Sequence, residues 1–261
     1  MHQLIDSHCH WDHPRLQQLQ PHLWQSCLNA GVEQLVVPGT QKTFFLRQIA
    51  LCEQHPCWHL ALGLHPYFSD QHTPEHLQFL ANAIRQHRPV AVGEIGLDFA
   101  LDTELEGFSI AQQEIWFVAQ VKLAQKAQLP VIMHSRKAND RLGQLLRQLN
   151  FDQGGVVHGF SGSLQQAQKF TQLGFKIGLG GNLTYGRAQA LRGLAQALPL
   201  KDIVLETDAP DMPMAGQVRG QPNRPDMLPK VLAVLTELRP ESSSQIATQI
   251  FANSLEIFRL K

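Results

Sequence analysis

The sequence predicts an α/β chain folded as a (β/α)8 TIM barrel, and three observations predict it. Eight short apolar runs alternate with longer amphipathic stretches. The 261 residues that hold them match the roughly 250 typical of this barrel. No Gly-x-Gly-x-x-Gly follows the first apolar run, which weighs against the rival architecture, an open doubly wound sheet. No internal repeat or low-complexity linker interrupts the pattern, so one domain spanning 1–261 is expected.

The elements read in order as follows. Leu4-Ile5-Asp6 is the first strand, and Leu16–Ala30 the first helix, closed by Gly31 where a left-handed C-cap is favoured. Strand Leu35-Val36-Val37 precedes helix Thr43–Gln54. Strand His59–Leu62 precedes helix Pro74–Gln86, whose Thr73-Pro74 start puts a cap before a first-turn proline. Strands Val90-Ala91-Val92 and Val131-Ile132-Met133 lead into helices Ile110–Gln128 and Asn139–Leu149. Strand Gly155-Val156-Val157 is followed by helix Ser163–Leu173, with Ser163 and Gln166 spaced as a capping box and Gly174 as the C-cap glycine. Strands Phe175-Lys176-Ile177 and Ile203-Val204-Leu205 flank helix Ala188–Ala197. Helices Arg224–Leu238 and Ser242–Phe258 close the chain. The one long loop, Ala209–Pro222, follows the eighth strand and is rich in Pro and Gly, the kind of segment that often carries function.

Composition narrows the function classes. Apolar residues make up 43% and charged residues 17%, as in globular proteins. Lys plus Arg and Asp plus Glu number 22 each and form no block of one sign, which argues against an extended duplex-binding surface. Cys9, Cys27, Cys52 and Cys57 form no Cys-x-x-Cys pair, so a zinc ribbon or finger is not expected. The opening Met1-His2-Gln3 has neither a basic n-region nor an apolar h-region, and no apolar run is long enough to span a membrane. A cytoplasmic protein with reduced thiols is the expectation.

Candidate chemistry lies at the strand ends. His8 and His10 follow the first strand two residues apart, so they share a face. In a chain with 13 His, chance alone supplies about 0.6 His-x-His pairs, so this pair carries little weight by itself. Glu94 follows strand four, His134 strand five, His158 strand six and Asp208 strand eight. Each has an ordinary explanation taken singly: a core histidine, a paired carboxylate or a turn aspartate. Jointly they fall on the barrel face where chemistry sits, and random placement would scatter them. Six N/O ligands exceed what one tetrahedral zinc needs. A carboxylate between two sets of histidines suggests two divalent ions about 3.5–4 Å apart. Ligands without sulfur allow Zn, Mn, Co or Mg. Asp208 would orient a metal-activated water and take its proton.

Five motifs then carry a resemblance: His8-x-His10, Gly93-Glu94-Ile95-Gly96-Leu97-Asp98, His134-Ser135-Arg136, His158-Gly159-Phe160-Ser161-Gly162 and Leu205-Glu206-Thr207-Asp208-Ala209-Pro210. In this order, over residues 4 to about 258, the chain resembles the TatD family of metal-dependent hydrolases in the amidohydrolase superfamily. The runs His158–Tyr185 and Leu205–Pro225 look closest to its YjjV branch. The resemblance implies a TIM barrel with a binuclear centre: Glu94 bridging, His8, His10 and Asp208 on one ion, His134 and His158 on the other. It implies hydrolysis of phosphodiesters at DNA ends, as better-known relatives perform. The alternative is an amide or ester hydrolase, such as the D-aminoacyl-tRNA deacylases linked to some relatives, and a second is a metal-binding barrel without catalysis. Glu94 stands where phosphotriesterase-like relatives carry a carboxylated lysine, which favours the TatD reading. Departures from the nuclease pattern are Tyr67 where a second histidine is frequent, Gly159 where cysteine is common, and Arg224 where Glu or Gln often stands.

Substrate contacts are expected from His65, at the end of strand three, and from Arg136 and Arg224, which offer bidentate contacts to a phosphate. The partner expected is a small substrate or a nucleic-acid end. Glu206 lies two residues before Asp208 and is either a carboxylate orienting a ligand histidine or a buried structural one. His72 and His76 flank the Pro74 helix start and read as solvated. Cys9 alternates away from His8 and His10 and should pack behind the strand.

Overall fold

The structure is a computed structural model that describes residues 2–101 and 107–261. Eight parallel strands run in the order β1 Leu4–Asp6, β2 Val32–Pro38, β3 Trp58–Leu62, β4 Ala91–Asp98, β5 Val131–Arg136, β6 Gly155–Val157, β7 Phe175–Leu179 and β8 Ile203–Leu205. Each pairs with its sequence neighbour. The first and last strands are brought together too: Ser7 N–H donates to Leu205 O at 3.0 Å, and Asp208 N–H donates to His8 O at 2.8 Å. His10 N–H then donates to Ala209 O at 2.9 Å. The (β/α)8 barrel expected from the sequence is therefore the fold observed.

The helices are α1 Pro14–Gln17, α2 Gln20–Asn29, α3 Lys42–Glu53, α4 Pro74–His87, α5 Ile110–Ala127, α6 Asn139–Gln148, α7 Leu164–Thr171, α8 Gln189–Ala197, α9 Leu228–Leu238 and α10 Ser243–Phe258. The expected helix Leu16–Ala30 is two pieces. Pro21 has no N–H to continue a ladder from α1, so the chain ends one helix at Gln17 and begins another at Gln20. The expected capping box of Ser163 and Gln166 is present, and α10 has a second one, Ser242 with Gln245. Gly31 and Gly174 adopt φ of 84° and 81°, as C-cap glycines do. The helix expected from Arg224 opens instead as a 3-10 turn, Pro225–Met227. Among the described residues no helix is long and apolar enough to cross a membrane.

Strands four and five are longer than the apolar runs suggested. β4 continues through Asp98 and β5 through Arg136, so Glu94 and His134 lie within strands rather than after them. The continuous apolar run stops at Val92 because the strand then alternates: Glu94 and Asp98 turn to the polar centre, while Ile95 and Leu97 pack in the larger apolar cluster. Gly96, with φ near 150°, is required where β4 meets β5, since a Cβ there would stand 2.0 Å from His134 O.

The apolar residues sort into two clusters. The larger packs strand residues such as Leu35, Val92, Met133, Val157 and Leu205 against the helices. The smaller joins Ile5, Val36, Ala61, Ala91, Ile132, Val156 and Val204 with Ile257 and Phe258 of α10. It forms an apolar layer across the strands, two to four residues before the polar centre on most of them. Asn253 of α10 ties this helix to β8 by donating to Ile203 O and Leu200 O at 2.7 and 2.8 Å.

Candidate metal centre

Glu94 is the hub of the polar centre. Its carboxylate is 2% exposed and its two oxygens face different partners. Oε2 lies 3.2 Å from His8 Nε2 and 3.6 Å from His10 Nε2. Oε1 lies 3.0 Å from His65 Nε2, 3.1 Å from His134 Nδ1 and 3.2 Å from His158 Nε2. Asp208 Oδ1 joins the first group, 3.5 Å from His8 Nε2 and 3.4 Å from His10 Nε2. The six residues singled out in the sequence are thus brought together, with His65 beside them.

The first group fits a cation by its spacing. The two imidazole nitrogens stand 3.3 Å apart, each beside the same two carboxylates. Donor atoms about 2.0–2.1 Å from a tetrahedral zinc stand about 3.3–3.4 Å from one another. Five of the six edges of the figure drawn by His8 Nε2, His10 Nε2, Glu94 Oε2 and Asp208 Oδ1 measure 3.2 to 3.6 Å. The donor set contains N and O and no sulfur, which suits Zn, Mn, Co or Mg. His8, His158 and Asp208 also converge, as do His65, Glu94 and His134.

His65 differs from the other histidines. Its Nδ1 accepts the Tyr67 N–H at 3.0 Å, so the neutral ring carries its proton on Nε2. That Nε2–H donates to Glu94 Oε1 at 3.0 Å. In this tautomer His65 offers a donor, not a lone pair, to whatever occupies the centre.

Several buried groups hold the centre in place. Glu206, fully buried, accepts the Gly159 N–H and sets Oε1 3.3 Å from His158 Nδ1. Its space exists because residue 178 is glycine: a Cβ there would stand 2.3 Å from Glu206 Oε2. Asp98 Oδ2 lies 3.1 Å from His134 Nε2, so this ring sits between two carboxylates. Two glutamines seven apart on α5 clamp the backbone. Gln113 exchanges hydrogen bonds with Asp98 N–H and O at 2.8 and 3.1 Å. Gln120 does the same for Leu64, at 2.7 and 3.0 Å, one residue before His65. Asn223 donates to Thr207 O at 2.8 Å and Met212 O at 3.1 Å, fixing the strand before Asp208 and the loop after it. The sequence reading singled out none of these positioning roles except Glu206. Asp98 was within reach, because Glu94 and Asp98 lie on one strand at even spacing.

Burial and charge oppose one another throughout. Burial pushes Glu94 up, but His65, His158 and His8 hold it well below the usual carboxylate range. Asp208 is likewise pushed up by burial and held low by His158, His10 and His8. Burial disfavours charge on His10, yet Asp208 and Glu94 raise it to about 9. Against the same penalty, His158 is raised by Glu94 and Glu206, and His134 by Asp98 and Glu94. His8 is lowered, by burial first and then by His158, whose ring stacks on it at 3.8 Å. Two ionised carboxylates among crowded imidazoles form an array whose excess lone pairs suit divalent cations.

A cavity of about 640 Å³ opens over the centre, lined by His10, His65, Glu94, His134, His158 and Asp208. Arg136 and Arg224, expected to contact substrate, are not among its lining residues. Arg136 is 64% exposed and stands 3.9 Å from Asp98 Oδ2. Arg224 turns to Asp226 in a two-pronged pair at 3.0 and 2.5 Å, because the 3-10 turn after it brings that carboxylate round. The arginine that does line the cavity is Arg47, whose guanidinium donates to the Asp12 backbone oxygen. His72, expected to be solvated, is 8% exposed: its Nε2 lies 2.9 Å from His65 O and its ring meets Trp116 edge-on. Cys9 is buried behind its strand as expected.

Sequence comparison agrees with this geometry. Residues 5–259 match the family described as TatD related DNase. The chain is 44% identical over 259 residues to a protein of Escherichia coli K12 named "uncharacterized metal-dependent hydrolase YjjV", covering 98% of both chains. The crystal structure of that YjjV superposes with a TM-score of 0.93 at 43% identity, over 99% of this chain and 98% of the other. A protein of Pantoea sp. named "3'-5' ssDNA/RNA exonuclease TatD" is 32% identical over 239 residues, 89% of this chain and 90% of its own.

Proposed function

The chain belongs to the TatD family, and on that premise we propose that it is a hydrolase with a binuclear metal centre that cleaves a phosphodiester at the end of a nucleic acid. The observation that supports this most is the division of Glu94, one oxygen toward His8 and His10 and the other toward His134 and His158. In this reading Glu94 would be shared between two ions, with His8, His10 and Asp208 available to hold one and His134 and His158 the other. Ions bound there would supply Lewis acidity and would lower the pKa of water in the site toward neutrality. Asp208, kept ionised by its histidine neighbours, takes the proton of the attacking water. His65 lines the cavity and donates its Nε2–H to Glu94 Oε1, which holds that carboxylate in place beside the scissile group. Glu206 and Asp98 keep the rings of His158 and His134 aimed. The four free cysteines fit residence in a reducing cytoplasm.

A second reading, hydrolysis of an amide or of an aminoacyl ester, is favoured by one observation. Asp12 and Asp211 line the cavity, which suits a substrate with little negative charge. One experiment separates the readings. The protein is stripped with a chelator, reloaded with Mn, Co, Zn or Mg, and assayed on 3'-labelled single-stranded DNA, a chromogenic phosphodiester, an aminoacyl ester and an amide. Metal-restored cleavage of the first two is expected. Turnover of only the last two would replace the phosphodiester reading, and no turnover by metal-loaded protein would make this a binding barrel.

A further inference from the structure

We propose that the mouth of the cavity is a stacking site for one planar heteroaromatic ring, the base of the nucleotide beside the scissile phosphate at a single-stranded end. The proposal rests on the phosphodiesterase reading above. Among the described residues, Phe44 and Tyr67 are the only Phe, Tyr or Trp side chains that are exposed, at 40% and 56%. Both line the cavity that holds Glu94 and Asp208. The other aromatic side chains are buried or half-buried. Two exposed aromatic rings in one cavity are better accounted for by a ligand than by packing.

The rings also form a path. His134 meets His65 at 4.5 Å between centroids, His65 meets Phe68 at 6.3 Å, and Phe68 meets Tyr67 at 5.1 Å. The contacts therefore run from the metal centre to the exposed mouth. The Arg47 guanidinium stands 5.7 Å from the Phe44 ring and adds a cationic edge.

Charge decides the length of the occupant. Among the described residues Arg47 is the only Lys or Arg lining the cavity, and it faces Asp12, while Asp12 and Asp211 line the same space. A polyanionic strand laid across these carboxylates would be repelled. A terminal nucleotide places one phosphate at the centre and gains its remaining affinity from its base.

The test compares thymidylyl-thymidine with an analogue in which the base beside the scissile phosphate is removed, using Mn-loaded enzyme. The wild type should prefer the intact dinucleotide by about 5- to 150-fold in kcat/KM, the span that stacking of one base gives. In the double variant Tyr67→Ala, Phe44→Ala that ratio should fall to near one, with metal content and melting temperature as the folding controls. A wild type that does not discriminate, or a variant that keeps the ratio, overturns the proposal. If the wild type cleaves neither compound, the phosphodiester reading fails, and stacking is read by calorimetry with thymidine monophosphate against deoxyribose phosphate. Tighter nucleotide binding that vanishes in the variant then supports the stacking site, and equal affinities overturn it.

Discussion

Two layers of the same barrel, a few residues apart on shared strands, have opposite chemistry. Ile132, Val156 and Val204 belong to the apolar layer closed by Ile257 and Phe258. Two residues further along the same strands stand His134, His158 and Glu206. Alternation places each pair on one face of its strand, so the backbone offers both layers the same platform. The apolar layer is held by close packing that any well-fitting set of aliphatic side chains could supply. The upper layer is a set of buried charges that stand only because each is paired. Glu94 serves five histidines, Asp98 and Glu206 serve one each, and Asp208 serves two. The lower layer makes the fold and the upper one spends that stability on chemistry.

The contrast can be broken at either layer. The largest effect is expected from Glu94→Ala, which removes the shared carboxylate. Hydrolysis of every substrate should fall by about 100- to 1000-fold, the order seen when a transition-state stabiliser is lost, and metal content should fall with it. Ile132→Ala acts on the other layer. It should lower stability by about 2–5 kcal/mol, as for other buried Ile truncations, while metal content and kcat of the folded protein persist. If Ile132→Ala strips the metal as Glu94→Ala does, the two layers are not separable.

A smaller effect is expected from Glu206→Gln. Loss of a partner that orients a ligand histidine typically costs about 10- to 100-fold in metal affinity, and one ion should be affected before the other. Titration with Co while following d–d absorbance and stoichiometry reads this out. Equal weakening of both ions would make Glu206 a structural carboxylate only.

The smallest effect is one of pH. In the metal-free protein the favourable charge on His10 is present in full below its ordinary value of about 6.5 and is lost as pH rises through about 9. Asp6, kept protonated by burial up to about 8, acts in the same direction, since stability falls as pH rises past its ordinary value toward 8. Metal-free protein should therefore melt at lower temperature at pH 9 than at pH 6.5. Metal binding needs deprotonated imidazoles, so its affinity should rise over the same window. The gap in Tm between loaded and stripped protein should widen from pH 6.5 to 9, and a gap that narrows would contradict the assignment of His10.

Much of this was legible in the sequence because histidine after an apolar strand has no packing reason to be there. His134 and His158 announced themselves in that way, and the Gly-rich motif around Glu94 marked the hub. The true extent of β4 was hidden, because its second half carries Glu94, Gly96 and Asp98 on one face and only Ile95 and Leu97 on the apolar one, too sparse to read as a run. Gln113 and Gln120 were hidden for a different reason. A glutamine on an amphipathic helix reads as solvent-facing, yet Gln113 and Gln120 are both 1% exposed and bonded to strand backbone. Arg224 and His72 misled in opposite directions. The arginine has a partner two residues away, and the histidine is covered by Trp116 from a distant helix. Neither neighbour can be read from local spacing.

The central claim is that Glu94 divides the centre between two ions. Stripped protein titrated with Mn and followed by electron paramagnetic resonance tests it most directly. The account predicts two ions per chain at saturation, a spin-coupled signal between them, and loss of that coupling in Glu94→Ala. Full activity with one ion per chain, or coupling that survives Glu94→Ala, would contradict it.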